Sequence, residues 1–282
     1  MVAVQERSRT TAGPPAGLVR LEPTPSRERN RGVSIMLRAL GPLLLLAFWW
    51  IGASAGFLNG QLSSPSRVVD TFADLWQHQQ LLHQVTTSLW RALTGAAIGV
   101  SIGLVLGAIA GLWRIGEELL DSSMQMLRTI PFLALVPLFI VWLGIGETPK
   151  IVLIAMATVF PMYLNTYNGV RSVDRKVLEG MRSFGVTGWR LVRSVVLPLA
   201  LPSILTGLRF ALGVSVLALI AAEQINSSAG LGYLMLQAQN YQQGDVLVVC
   251  IIIYAALGLF ADILVRVIER FTMPWRSSVS TR

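Results

Sequence analysis

Residues 91–114 read RALTGAAIGVSIGLVLGAIAGLWR, a run of 22 uncharged residues closed by Arg91 on one side and Arg114 on the other. A membrane-spanning helix needs about 20 mostly apolar residues, because the hydrocarbon core is about 30 Å thick and each helical residue rises about 1.5 Å. The run meets that length. It also sets Gly95, Gly99, Gly103, Gly107 and Gly111 four apart. Small residues at this spacing let two helix backbones approach closely. A period of four drifts by about 40° per step on a 3.6-residue helix. The ladder therefore predicts either a right-handed crossing with one neighbour or a contact shared between two.

Five more apolar stretches lie between charged residues. They predict spans near 38–56, between Arg128 and Glu147, between Lys150 and Arg171, near 199–222 with Arg209 inside, and near 246–266 with Asp262 close to its end. The expected fold class is thus all-α integral membrane, with about six transmembrane helices. Composition agrees: 53% of the 282 residues are hydrophobic and 13% charged, with a mean hydropathy of +0.60. A soluble chain of this size could not bury that much apolar surface and still cover its outside. Between the first two spans, Val68, Phe72, Leu75 and Leu82 recur at helical spacing with Asp70, Asp74 and Gln77 between them. This is the pattern of an amphipathic helix lying at the interface. Pro131 and Pro137 interrupt the third span. Proline frees backbone carbonyls and kinks a helix, and such breaks occur both at transporter cavities and in ordinary membrane helices.

Lys and Arg in short loops mark the cytoplasmic side. With both termini cytoplasmic, the inner side holds twenty of them and the outer side only Arg67, Arg91 and Lys150. Residues 1–35, with Gly13-Pro14-Pro15 and Arg27, Arg29 and Arg31, read as a disordered cytoplasmic tail. That region is too long to precede a cleaved signal peptide, although Ala53-Ser54-Ala55 resembles a cleavage site. Residues 36–270 form the transmembrane domain and 271–282 a second cytoplasmic tail. The net charge of +8 is explained by these loops. No basic stripe with interleaved aromatics suggests nucleic acid. Cys250 is the sole cysteine, and His78 and His83 share a polar segment without HExxH context. The chain offers no catalytic constellation and no metal site.

The longest internal cytoplasmic segment, 171–198, reads RSVDRKVLEGMRSFGVTGWRLVRSVVLP. Val177, Met181 and Phe184 recur at helical spacing, as do Trp189, Val192, Val195 and Val196 beyond Gly185 and Gly188. This predicts two short helices with a glycine turn between them, presenting apolar residues flanked by cations to a protein partner or to the lipid surface.

Glu179-Gly180-Met181, three residues, Gly185, nine residues, Val195, one residue, Leu197-Pro198 resembles the EAA loop of binding-protein-dependent ABC importers. That pattern reads E-A-A, three residues, G, nine residues, I, one residue, L-P. Gly180 and Met181 replace the two alanines and Val195 the isoleucine. The stretches 131–150, 160–174, 201–213 and 222–235 are similar to permeases for sulfonates, taurine and nitrate, and the likeness covers roughly residues 85–270. The resemblance implies a type I ABC importer permease fold in the inner or plasma membrane, with 171–198 as a coupling loop that docks into a separate ATPase. It further implies ATP-Mg on that partner, an extracytoplasmic solute-binding protein, a second permease copy, and a small anion as cargo, with alkanesulfonate or taurine preferred. The chain has no GxxxxGK[ST] phosphate loop of its own.

On this reading Glu179, Gly180, Met181, Gly185, Val195, Leu197 and Pro198 are the ATPase-coupling residues. Glu179 is expected near the start of a short helix, where a carboxylate is favoured, or opposite a partner cation. Gly185 permits the turn and Pro198 stops the second short helix. Glu223, Gly230 and Gly232 at the outer end of the fifth span are candidates for gating or for docking the binding protein, with a structural cap as the alternative. Glu147 and Lys150 form either a binding-protein contact or an ordinary solvated turn. Arg128 and Arg209 are expected near the inner surface as anchors rather than anion ligands. Asn165, Thr166 and Asn168 are expected to seek partners within the bundle. An ion-gradient transporter would need acids inside the spans and an internal repeat, and a membrane enzyme a nucleophile–base pair. Only Asp262 lies well inside a span.

Overall fold

The computed structural model describes residues 31–54, 63–78 and 81–273. Of the tails expected at 1–35 and 271–282, residues 1–30 and 274–282 lie outside the described residues, while residues 31–35 and 271–272 are helical. Among the described residues every regular element is a helix. Helix α1 is Arg31–Ser54, and the chain divides into two units between Phe48 and Trp49, within it. The larger unit carries α2 (Pro65–His78), α3 (Leu81–Leu112), α4 (Arg114–Thr129), α5 (Val136–Leu143), α6 (Thr148–Arg171), α7 (Arg175–Ser183), α8 (Gly188–Leu191), α9 (Leu197–Asn226), α10 (Leu231–Asn240) and α11 (Gly244–Thr272).

Among the described residues four helical stretches are long and apolar enough to cross a membrane: α3, α6, the continuous rod from α8 to α9, and α11. A fifth is the α4–α5 pair if it counts as one span, bent by 84°. The described apolar part of α1, Leu43–Ser54, is shorter.

All five ladder glycines face one neighbour, α6. A Cβ on Gly95 would lie 2.6 Å from Ile154 Cβ, on Gly103 2.8 Å from Met162 Cβ, on Gly107 2.8 Å from Thr166 Cβ and on Gly111 2.7 Å from Val170 Cβ. At Gly99 it would fall onto Thr158 Oγ1 and the carbonyl of Ala155. Contact numbers rise together on both helices, so α3 and α6 run parallel. Their matching rows of residues four apart keep contact only by wrapping in the right-handed sense. Helix α9 packs antiparallel on the other side of α6, with Gly207 against Asn165 and Gly169 against Ser203. Ser203 Oγ donates to the Asn165 carbonyl at 2.7 Å, and Asn165 Nδ2 donates to that of Pro161 at 2.8 Å. Thr166 is fully buried, whereas Asn168 is exposed.

The third span is not one kinked helix. Ile130 and Pro131 both adopt extended backbone, and the helix breaks there. The ring of Pro131 disfavours helical geometry at the preceding residue. Pro137 instead sits in the first turn of α5, where a missing N–H leaves no bond unmade. Helix α4, unforeseen in the sequence, is polar on one side and reaches from Arg114 to this break.

The second short helix of the 171–198 segment also differs from expectation. From Gly188 the helix runs on into α9 through a π turn at Val192–Val196, where the N–H of Leu197 bonds to the Val192 carbonyl. Pro198 therefore does not stop it. A proline lacks the N–H for, and clashes with, the carbonyl four residues back, and the wider π turn lies over that position.

Helix α2 buries Val68 and Leu75, as its pattern predicts, but leaves Phe72 exposed. Leu82 belongs to α3 and is exposed. Helix α10 is a further element unforeseen in the sequence, anchored by buried Leu231, Leu234 and Ala238.

Candidate functional site

Helix α3 starts ten residues before Arg91, which is therefore not a loop cation but a helical residue, 2% exposed. Burying a guanidinium is costly unless its donors are met by acceptors, and here they are. Nε and Nη2 grip both oxygens of Glu147, at 2.5 and 2.7 Å. Nη1 donates to Glu223 Oε1 at 2.7 Å and to the Ala229 carbonyl at 2.6 Å. Glu223 is completely buried, in the last turn of α9. Its Oε2 also accepts from the backbone N–H of Gly232 at 2.8 Å and from Tyr254 OH at 3.2 Å. Ser88 Oγ lies 2.8 Å from both of its oxygens and accepts from the N–H of Leu231 at 2.8 Å. Gln84 Oε1 accepts from the N–H of Gly230.

The turn at 229–232 passes over this node because its glycines leave room. Gly230 holds φ +116°, in the left-handed region, and a Cβ there would meet Glu223 and Arg91. On Gly232 it would lie 2.5 Å from Glu223 Cβ. Of the Glu147–Lys150 turn only Lys150 is buried, 5% exposed with its Nζ 3.0 Å from Glu147 Oε1, while the Glu147 side chain keeps 56% of its surface exposed. Hydrogen bonding from Arg91, against the cost of burial and with help from Lys150, holds the Glu147 carboxyl well below the usual range, at about 2. One ionic node thus ties α3, the α5–α6 turn, α9, the turn before α10, and α11. Sequence reasoning named Glu147, Glu223, Gly230 and Gly232 but missed Gln84, Ser88, Arg91 and Tyr254 as partners. Gln84, Ser88 and Arg91 do recur at helical spacing just before the apolar run, which is a readable polar stripe.

Arg209 is no lone anchor. Its Nε lies 3.0 Å from Asp262 Oδ1 and its Nη2 3.2 Å from Glu269 Oε2, and Asp262 also accepts from Arg266 at 2.7 Å. Arg128 lies beside the middle of α6 rather than beside either of its ends. Its guanidinium carbon stands 5.4 Å from the centre of the Phe160 ring, and Phe160 is near the midpoint of α6.

At the far end of α6 from the ionic node, about 36 Å away at the helical rise, α6 ends and α7 begins. Asp174 caps α7, its Oδ1 accepting from the N–H of Lys176 at 2.9 Å. Glu179 lies past the first turn, so the helix N-terminus does not account for it; Asp174 takes that role. The C-terminus closes in a Schellman turn, with the Val186 N–H on the Met181 carbonyl at 3.1 Å and the Gly185 N–H on that of Arg182 at 2.9 Å. Gly185 supplies the required left-handed residue, at φ +81°. Glu179 and Gly180 are exposed, Met181 is partly covered, and no Cβ contact would arise at Gly180. Phe184 and Trp189 stand 84% and 69% exposed beside Arg182 and Arg190. Val195 and Val196 do not share that surface: both are buried, and Leu197 and Pro198 are half-buried.

Comparison with known proteins bears on both ends. The sequence profile described as "Binding-protein-dependent transport system inner membrane component" matches residues 99–273. A chain of Escherichia coli K12 named as an aliphatic sulfonates transport permease, SsuC, is 48% identical over 83% of this chain and 89% of that one. Its namesake in Bacillus subtilis 168 is 38% identical over 84% and 86%. The E. coli taurine transport system permease TauC is 32% identical over 89% and 92%. Among solved structures, an amino acid ABC transporter superposes with a TM-score of 0.59 at 20% identity, over 71% of this chain and 97% of that one. An inward-facing form of the methionine transporter MetNI gives 0.51 at 22%, over 67% and 94%; these two likenesses show the fold alone. This multi-pass chain is a transport subunit, and it belongs to the family of inner-membrane components of binding-protein-dependent ABC importers.

Proposed function

We propose that this chain forms the translocation pathway of an importer for small organic anions of the alkanesulfonate or taurine class. An extracytoplasmic binding protein delivers the cargo, and ATP-Mg is bound and hydrolysed on a separate subunit. Two copies of the chain make the pathway, each crossing the plasma or inner membrane six times with both termini cytoplasmic. The substrate class rests on the identity to the sulfonate permeases over most of the chain. The coupling role rests on one geometric observation. Helix α7, closed by Gly185, and the start of α8 present exposed Phe184 and Trp189 with Glu179 and several cations at the end of α6 opposite the ionic node. Apolar side chains ringed by charge are what a protein partner covers. Among the described residues the Glu179 carboxylate has no polar partner of its own, so it is free to meet a cation on the ATPase. Gly180, Met181 and Gly185 shape this surface, and Val195, Leu197 and Pro198 carry its motion into α9. The ionic node would gate the opposite face or receive the binding protein. A gradient-driven transporter fits less well, because Asp262 is already paired with Arg209 and Arg266.

The test is co-purification of the tagged chain with the ATPase encoded beside it, together with uptake of labelled hexanesulfonate by cells expressing the complete system. Glu179→Ala and Gly185→Val are expected to lose both the ATPase and uptake while the chain stays in the membrane. Retention of both activities in both variants would sink the coupling assignment.

A further inference from the structure

We propose that Arg128 and the apolar cavity beside it form an organic-anion site at mid-span, with the guanidinium receiving the anionic head and the cavity holding an alkyl tail. The proposal rests on the anion-importer reading and names the site within the chain where that cargo is held in transit.

Depth is the first argument. Helix α6 has 24 residues, and Phe160 stands near its middle. The Arg128 guanidinium lies over the Phe160 ring at 5.4 Å, so it stands level with the middle of α6, and the residue is exposed on the described chain. Among the described residues it has no hydrogen bond and no ion pair, unlike Arg91, Arg171, Arg209 and Arg266, which all pair with carboxylates. An unpaired cation at that depth is costly and marks a pathway or a ligand more often than an anchor. A face contact with an aromatic ring gives partial compensation and leaves the planar fork of donors open for an oxyanion.

The second argument is the cavity. It has a volume of about 330 Å³, and its walls include Met124, Leu127, Phe132, Met156, Phe160 and Val214, with Arg128 the one charged residue among them. Walls that are almost entirely apolar around a single cation select a ligand that is itself divided, with a short alkyl body and an anionic end. The third is the backbone. The cavity opens where α4 ends at Ile130–Pro131 and the chain turns by 84°, and discontinuous helices at mid-membrane are a common setting for transported ligands.

A lipid shares this chemistry, with a phosphate head and an acyl tail, so the test must separate the two sources. The full chain is placed in nanodiscs of zwitterionic lipid, and saturation-transfer NMR reads contact with hexanesulfonate, methanesulfonate and hexanol. Transfer to hexanesulfonate but not to hexanol is expected. Arg128→Gln should weaken it about tenfold, and Arg128→Lys should restore part of it. Met156→Trp, which fills the slot, should abolish the hexanesulfonate signal and spare that of methanesulfonate. If Arg128→Gln does not fold, the Lys and Trp variants decide by the same criteria. An unchanged signal in Arg128→Gln overturns the site, as does a chain-length profile that Met156→Trp leaves untouched. Loss of the signal on adding phosphatidylglycerol, with no competition in the reverse direction, overturns it in favour of a lipid. Failure of the importer reading shows separately: cells with the complete system then take up no alkanesulfonate, whatever the binding measurement finds.

Discussion

Replacing Glu223 by Gln tests whether the ionic node stabilises the bundle. The two side chains have the same shape, so the change opens no cavity; what it removes is charge. Glu223 is completely buried and takes hydrogen bonds from Arg91, Gly232, Tyr254 and the Ser88 hydroxyl. A carboxamide offers one acceptor oxygen where the carboxylate offered two, so its NH2 must face a donor. Either it meets Gly232 N–H and Tyr254, or it meets Arg91. Removing one member of a buried pair costs about 3–5 kcal/mol. Arg91 keeps its bidentate grip on Glu147 and the Ala229 carbonyl, which favours the lower end, about 3 kcal/mol. At roughly 2–4 °C per kcal/mol for a chain of this size, the midpoint should fall by about 10 °C. The assay is thermal unfolding of the purified chain in one fixed detergent, followed by tryptophan fluorescence. Arg91→Met should lose at least as much, because it leaves the fully buried Glu223 carboxylate without its cation. The double variant should recover much of the loss, giving a coupling of about 2 kcal/mol or more. A Glu223→Gln midpoint within 2 °C of the parent, or strictly additive losses in the double variant, would refute the reasoning.

Gly99→Ala is expected to lower stability by about 1–3 kcal/mol or more, since the added methyl falls onto the Ala155 carbonyl and Thr158 across the α3–α6 contact. Gly180→Ala, in open space on α7, is expected to be neutral or to stabilise that helix by about 0.5–1 kcal/mol; equal effects in the two unfolding curves would show that close approach of the helices does not set the ladder. The Glu147 carboxyl drops from an ordinary 4.5 to about 2 on folding. Its contribution is therefore fully present above the unfolded value and is lost as pH falls towards the folded one. The midpoint difference between the parent and Glu147→Gln should accordingly hold constant from pH 8 to about 5 and shrink below that. A difference that grows on acidification would contradict the ion-pair geometry.

Much of this fold was written locally. The solvent for the apolar runs is lipid, where every backbone group must bond within its own helix, so span length and charge-free runs located α3, α6, α9 and α11 directly. The amphipathic period gave α2 apart from Leu82, and the left-handed demand of a helix end gave Gly185. The five glycines announced close packing, but which helix they meet, and that all meet the same one, depended on the rotation of α6 about its axis. The same limit hid the third span: proline chemistry foretold a disturbance at Pro131, while the 84° bend and the approach of Arg128 to Phe160 came from how α4 lies against α6. The pairing within the ionic node was beyond local reading. Arg91 and Glu223 are 132 positions apart, and Arg91 and Glu147 are 56 apart. Each alone looks like an ordinary charge near the edge of a span. Whether such a charge is solvated or buried is settled by which other helices arrive beside it, and hydropathy and helical period carry no information about that arrangement. What the residues determined by themselves was where four long apolar helices lie and where Gly185 closes the short helix α7. The tertiary structure alone decided which charges pair, which glycines touch, and which arginine faces the Phe160 ring.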